Sequence, residues 1–322
     1  MEELTKKEQK IISQIQNIIS SCGNCESWDN ETKEPFWIWG EGTDMYDLLD
    51  EYNIEYDRKE IVAFELRCCC GSELELTSKV GIKRKYEIEL EAYIENVTKK
   101  FSKPLQSFDE LINNHPLLAL KHPIGKKIYS EISKKNLPEC KIIEGDILYR
   151  ARLSSNSILL DSEDFKRAPL GIPTEGRFNH SGQSHWYLCS NEECAILEIV
   201  DQGLVWTQQF ETKGTIDKIL DLSFDYNDIS TSMNTLLASL HFSDVLLKNK
   251  KNNENWKPDY FATRYIMDCA KSCGYNGIKY NSTKNFSAIN YVLFYPDSIE
   301  IDTVGRPKIN MHSRQEDDFL DF

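Results

Sequence analysis

Basic residues are the scarce class in this sequence: 38 Lys and Arg stand against 52 Asp and Glu, a formal net charge of −14 over 322 residues. So acidic a chain excludes broad, non-specific contact with nucleic acid or anionic lipid, which basic patches hold through released counterions. It leaves room for a local basic site that takes a small anion. Long apolar runs are also missing. None approaches the ~20 residues needed to span a bilayer. The opening MEELTKKEQKIISQIQNIIS is charged and amphipathic where a secretory leader carries an apolar core. A soluble, cytoplasmic protein is expected. The sequence also lacks internal repeats and low-complexity tracts.

Aromatic residues and cysteine are plentiful. With 40% hydrophobic residues, including 14 Phe, 15 Tyr and 6 Trp, the chain can bury a sizeable core as one large domain or two ordinary ones. Ten cysteines in a reducing compartment are expected as thiols or metal ligands, with few disulfides.

Ile11, Ile12, Ile15, Ile18 and Ile19 form one helical stripe near the start. Cys22-Gly-Asn-Cys25 follows at once, and Cys68-Cys69-Cys70-Gly71 comes later. A C-x-x-C pair turns two thiolates toward one point, and a second cluster can complete a tetrahedral zinc site. Cys22, Cys25, Cys68 and Cys70 are the candidate ligands, with Cys69 expected on the opposite face of a strand. Buried or free thiols, or a redox pair, are the competing readings. Between the clusters lie a Trp-rich stretch at 36–40, an acidic helix at 44–51 and a strand at 61–66. The spacing predicts a helix over most of 85–101. Four prolines in 102–140 (Pro104, Pro116, Pro123, Pro138) suggest a connecting region with one or two short helices. His115 and His122 fall there as surface residues. The expected domains are 1–100, a connector 101–140, a main domain 141–305 and an acidic, mobile tail 306–322. The expected fold class is α+β, a mixed β-sheet core with flanking helices, preceded by a smaller α/β domain with a zinc ribbon.

The main domain opens on a strand, KIIEGDILYRAR at 141–152, whose alternation puts Arg150 and Arg152 on one face. They are either solvated charges on an edge strand or an anion clamp, since guanidinium forks match phosphate oxygens. The organising stretch is GRFNHSGQSHWYLCSNEECAILE, running from Gly176 to Glu198. It contains a turn carrying Arg177 and Asn179, an aromatic strand carrying Tyr187, and an apolar helix carrying Glu198. A carboxylate among apolar residues is costly unless it is paired or functional. Arg177, Tyr187 and Glu198 therefore read as the wall of a ligand pocket. Farther on come strands and turns at 203–230, a helix at 232–247, a polar insertion at 248–255 and a helix at 259–273 whose cysteines belong to its core. Strands follow at 277–282, carrying Tyr280 and ending at Ser282, and at 290–295.

Those motifs in that order (L-Y-R at 148–150, G-R-F-N at 176–179, the Tyr187 and Glu198 spacing, G-I-K-Y-N-S at 277–282, N-Y-V-L-F at 290–294) resemble the RES domain family. The resemblance covers roughly 141–305. The N-terminal part resembles the cysteine-bearing domain that precedes some RES and HEPN domains. The resemblance implies a fold similar to ADP-ribosyltransferases and the activity of bacterial toxins that destroy NAD⁺, restrained by an antitoxin or a regulatory partner. A homo-oligomer is also expected.

NAD⁺ carries a cationic nicotinamide on a ribose, so that bond breaks with little acid catalysis. The site must position the ribose and stabilise its developing cation. Glu198 is the candidate for this. Arg177, with Arg150, would hold phosphate; Tyr187 would stack on nicotinamide; Ser282 would bond phosphate or ribose. Asn179 and Tyr280 complete the substrate-binding set. His180 and His185 are read as peripheral. The acceptor is water or inorganic phosphate. The other readings are ADP-ribose transfer to a macromolecule, or a non-catalytic zinc-binding module.

Overall fold

The computed structural model describes residues 3–25, 41–153, 159–199, 203–224, 233–243, 245–246, 257–285, 288–295 and 298–312. The Trp-rich stretch at 36–40, the insertion at 248–255 and the end of the tail from 313 lie outside them. The chain divides into two compact units, Met1–Glu95 and Asn96–Phe322.

In the first unit, helix α1 (Lys6–Ile18) begins at a capping box in which Thr5 and Glu8 satisfy each other's backbone donors. Strand β1 (Ile19–Cys22) follows it directly. A three-stranded antiparallel sheet has the order β1, β3 (Lys79–Ile82), β2 (Glu41–Asp44). Ile11 and Ile15 of α1 pack with Leu48 and Leu49 of α2 (Met45–Glu51) and Val62 of α3 (Lys59–Phe64). The strand expected at 61–66 is thus a helix. A short apolar run cannot distinguish the two by periodicity, and here Val62, Ala63 and Leu66 bury together against a helical core.

The boundary between units falls inside α4 (Lys85–Asn114), which runs through Pro104. Residues 102–114 therefore continue the helix expected over 85–101, and one long helix runs into the region expected to hold short ones. Proline removes the hydrogen bond to the carbonyl four residues back, and Pro104 lies on the exposed side of α4, where water can satisfy that carbonyl. Pro123 instead opens α5 (Pro123–Ser133) at its first position, where the missing N–H costs nothing.

The second unit is built on a mixed sheet of eight strands among the described residues, in the order β11, β7, β5, β6, β10, β9, β8, β4. These are β4 (Glu139–Ile142), β5 (Ile147–Arg152), β6 (Trp186–Cys189), β7 (Gly203–Thr212), β8 (Ile216–Asp221), β9 (Gly277–Asn281), β10 (Ile289–Leu293) and β11 (Ile301–His312). All pairings are antiparallel except β8 with β9. The single strand expected at 141–152 is two: the chain turns at Gly145, at a φ of 89° that favours glycine, and sends β4 and β5 to different places in the sheet. The expected mobile tail is β-structured as far as His312, because β11 pairs with β7 to its end. Pro307 is accommodated in the register shift between Val304 and Lys308. One sheet face buries Leu148, Phe165, Trp186 and Phe210, each contributing about 1.5–3 kcal/mol of apolar burial. On Ala151, Cys189 and Val205 packs α6 (Glu192–Ile199), through Cys194, Ala195 and Ile196. Helices α7 (Thr235–Phe242) and α8 (Phe261–Ser272) complete the unit. The helix expected at 232–247 is described over Thr235–Phe242 alone. Among the described residues no helix is long and apolar enough to cross a membrane.

Candidate active site and cysteine cluster

A cleft of about 350 Å³ opens over the middle of the large sheet, within the range of small-molecule sites. Arg150, Ala151 and Arg152 of β5 form one wall, Tyr187 and Cys189 of β6 and Tyr280 of β9 line it, and Glu198 and Ile199 close it from α6. With β10, which brings Asn290 to the lining, the four strands that meet here are adjacent in the sheet order although their sequences span more than a hundred residues.

Glu198 sits one helical turn beyond the buried Cys194, on the same face of α6. It is exposed at the cleft. The cost expected for a carboxylate buried in an apolar segment therefore does not arise: the helix buries Cys194, Ala195 and Ile196 and presents Glu198 to solvent. Its Oε1 accepts from Ser282 Oγ at 2.8 Å and from Asn290 Nδ2 at 2.7 Å. Among the described residues no donor reaches Oε2. Glu198 therefore holds a fixed carboxylate with one oxygen available.

Ser282, fully buried just after β9, also accepts from the backbone N–H groups of Lys284 and Asn285 at 3.1 and 3.2 Å. Its hydroxyl caps a turn and gives its proton to Glu198. No imidazole among the described residues bonds to it, so the arrangement is not that of an activated serine.

The turn at 176–179 is locked by its own side chains. Tyr187 Oη accepts from Phe178 N at 3.0 Å and donates to Asn179 Oδ1 at 2.9 Å. Asn179 Nδ2 donates to the carbonyls of Thr174 and His180. A Cβ on Gly176 would lie 2.3 Å from Asn179 Oδ1, so only glycine fits. Burial pushes the Tyr187 hydroxyl well above its ordinary value. Tyr187 thus gives the cleft a ring but not a free hydroxyl, and Asn179 is committed to the turn.

Arg177, 9% exposed, donates from Nη1 to the Leu246 carbonyl at 2.7 Å and lies 4.9 Å over the Tyr260 ring. It is not part of the cleft lining. Its charge nonetheless reaches the hydroxyls of Tyr187 and Tyr280 and opposes the effect of burial on both. Behind the same turn, His185 Nδ1 bonds the Phe178 carbonyl at 2.7 Å and its Nε2 faces Lys271 Nζ at 3.2 Å. Burial lowers His185 to about 4, so it is a neutral buttress. His180 pairs with Asp268 at 2.8 Å. Neither histidine lines the cleft.

The two arginines of β5 differ. Arg150 Nη1 is tied to the carbonyls of Phe165 and Lys166 at 2.9 and 2.7 Å, and burial together with the charge of Arg152 lowers it to about 10. The Arg152 side chain has no ion-pair or hydrogen-bond partner among the described residues. It is the cation that the cleft leaves available. Tyr280 packs on Phe178, ring centroids 4.8 Å apart, and burial holds its hydroxyl well above the usual range. Asn290 was missed at the sequence level as a site residue. Its signal was a polar amide at the head of an apolar strand, on the same side as buried Val292.

In the first unit the thiols of Cys22, Cys25, Cys68 and Cys70 all lie within 4.8 Å of one another. Cys22 Sγ is 3.8 Å from both Cys25 and Cys70, and Cys25 is 3.4 Å from Cys68. A tetrahedral ion with 2.3 Å bonds to sulfur sets its ligands about 3.8 Å apart. The donor set and spacing fit such an ion. Cys68 to Cys70 form a turn closed by Gly71 N to the Cys68 carbonyl, not the strand expected, and Cys69 Sγ turns aside to the Ser20 carbonyl. Burial raises Cys25 to about 11, whereas hydrogen bonding with Ser72 lowers Cys70 to about 6. 

No curated protein matches the chain. Among solved structures, it is similar to a chain of the Mycobacterium tuberculosis MbcT–MbcA toxin–antitoxin complex, at 10% identity and a TM-score of 0.34, over 58% of this chain and 92% of that one. The family model of the RES domain matches residues 147–313, which contain the whole cleft and slightly more than half of the sequence. The chain belongs to the RES domain family.

Proposed function

We propose that the cleft binds NAD⁺ and cleaves its nicotinamide–ribose bond, with water or inorganic phosphate as acceptor. The observation that carries this reading is the Glu198 carboxylate, held through Oε1 by two donors and presenting Oε2 to a cleft whose opposite wall offers Arg152, a side chain without a partner among the described residues. A fixed carboxylate stabilises a ribose cation as it develops, without reorganising, and its free oxygen can take the 2′-hydroxyl. Arg152 is suited to the pyrophosphate and Tyr280 to stacking. Arg177 acts from behind the wall, holding the turn at 176–179 and biasing both tyrosines. Family membership supports an NAD⁺-directed, toxin-like effector, restrained by an antitoxin or a regulatory partner.

The test is to incubate purified protein with NAD⁺, with and without inorganic phosphate, and to resolve the products. Nicotinamide with free ADP-ribose identifies a hydrolase; nicotinamide with ADP-ribose 1″-phosphate identifies a phosphorylase. Label carried onto protein or nucleic acid would replace both with ADP-ribosyl transfer. No nicotinamide under any condition rejects the reading.

We also propose that Cys22, Cys25, Cys68 and Cys70 hold a structural zinc ion. Four thiol donors leave no open position on a tetrahedral ion, so its contribution is to fold the first unit. Metal analysis of the purified protein should find one zinc per chain.

A further inference from the structure

Asn290 touches two side chains of α6, Glu198 and Cys194. It is 3% exposed, in β10 between β6 and β9. Its Nδ2 donates to Glu198 Oε1 at 2.7 Å, while its Oδ1 accepts from Cys194 Sγ at 3.6 Å. Cys194 is wholly buried and lies one turn before Glu198. The two contacts fix the amide's orientation. Turned over, it would set its carbonyl oxygen against the carboxylate and its NH₂ against a thiol that is only a weak acceptor.

Resting on the assignment of Glu198 as the cation-stabilising group, we propose that Asn290 is the positioning residue for that carboxylate, with the Cys194 thiol setting the direction of its amide. Ser282 alone would leave the carboxylate free to rotate about a single hydrogen bond. Two donors on Oε1, Ser282 just after β9 and Asn290 on β10, 0% and 3% exposed, define its plane and direct Oε2 to the cleft. Because Asn290 offers its amide to Glu198 and Cys194, it acts through Glu198 and not on the substrate.

This separates two kinetic outcomes. Asn290→Ala should lower kcat for nicotinamide release by about 10- to 100-fold, as misplacement of a reacting group does, with KM for NAD⁺ changed less than about twofold. Cys194→Ala should lower kcat by less and leave KM alone. Asn290→Asp is the sharper variant, nearly isosteric with the native residue. It sets a second carboxyl against Oε1, and two carboxyls at that distance share a proton. The other titratable groups around Glu198 are Arg150 and Arg152 on β5, Tyr187 and Cys189 on β6, Cys194 on α6 and Tyr280 on β9. None is altered in this variant, so the acid limb of kcat/KM should move up by at least about one pH unit. A KM increase with kcat preserved in Asn290→Ala would make Asn290 a substrate ligand and overturn the proposal. An acid limb unmoved in Asn290→Asp would overturn it as well. If the wild-type protein releases no nicotinamide, the assignment of Glu198 fails separately. Carbon-13 titration of the Glu198 carboxyl then decides: an upward shift in Asn290→Asp sustains the contact, and an unchanged titration removes it.

Discussion

The cysteine cluster of the first unit and the cleft of the second are assembled in opposite ways. The cluster takes its thiols from two short turns, Cys22 to Cys25 and Cys68 to Cys70, and each pair is brought together by local backbone geometry. The cleft takes Arg152, Tyr187, Glu198, Tyr280 and Asn290 from five elements, and they meet because strands distant in sequence are neighbours in the sheet. With the proposed zinc bound, the first arrangement would gain stability from the ion. The second is held before anything binds, since the sheet core beneath it supplies the energy. Each should therefore respond differently to losing its central group.

The largest effect is expected at the cluster. Removing zinc by chelation, or replacing Cys25 by Ser, should cost the first unit several kcal/mol, seen as lost hydrogen-exchange protection over α1 and α2. Protection that survives metal removal would break the contrast between the two regions. Next comes Glu198→Gln, expected to reduce NAD⁺ turnover about 10³-fold while the melting temperature changes little. Glutamine keeps the shape but removes the charge from an exposed position. Equal turnover in the variant and the wild type would remove Glu198 from the chemistry.

Acid stability is a third, smaller probe, and the part of it that His185 and His241 carry reads the second unit. Burial lowers His185 and His241 to about 4 from 6.5. In the unfolded chain they take up protons below about 6.5, while in the folded chain they resist until about 4. Their stabilisation is complete above pH 6.5 and declines as pH falls from there to about 4, by about 3 kcal/mol for each at most. Denaturant melts of His241→Gln against wild type across that window should show a shallower loss in the variant. The smallest effect separates the arginines. Arg152→Ala should weaken NAD⁺ binding by about 1.5–3 kcal/mol without loss of stability. Arg177→Ala should lower the melting temperature, because it removes the support between the turn, Tyr260 and the Leu246 carbonyl. The reverse pattern would return the anion-binding role to Arg177.

Part of the candidate site was legible before the structure, and what was not has identifiable causes. Glu198 and Ser282 were singled out from motif order, and the structure joins them by a hydrogen bond. The same reading assigned anion contact to Arg150 and Arg177, which the structure ties to backbone carbonyls. Residue type shows that a guanidinium is present but not whether neighbouring carbonyls already occupy it. Tyr187 was identified as a wall residue, yet its hydroxyl serves the turn that Gly176 allows to approach so closely. Asn290 looked like the start of an apolar strand until α6 was seen above it.

By itself, the amino-acid sequence determined the helical stripe of α1, the grouping of Cys22 and Cys25 with Cys68 and Cys70, the family motifs and the acidic charge balance. These follow from spacings of a few residues or from simple charge balance. Only the tertiary structure decided that residues 61–64 are helical, that 141–152 breaks into two strands, that Arg150 is tied to backbone carbonyls while Arg152 has no such partner among the described residues, and that Glu198 is exposed at a cleft. The reason is common to all four. Each depends on which groups a segment meets across the fold, and hydrogen-bond partners and burial are properties of neighbours that the linear order does not carry.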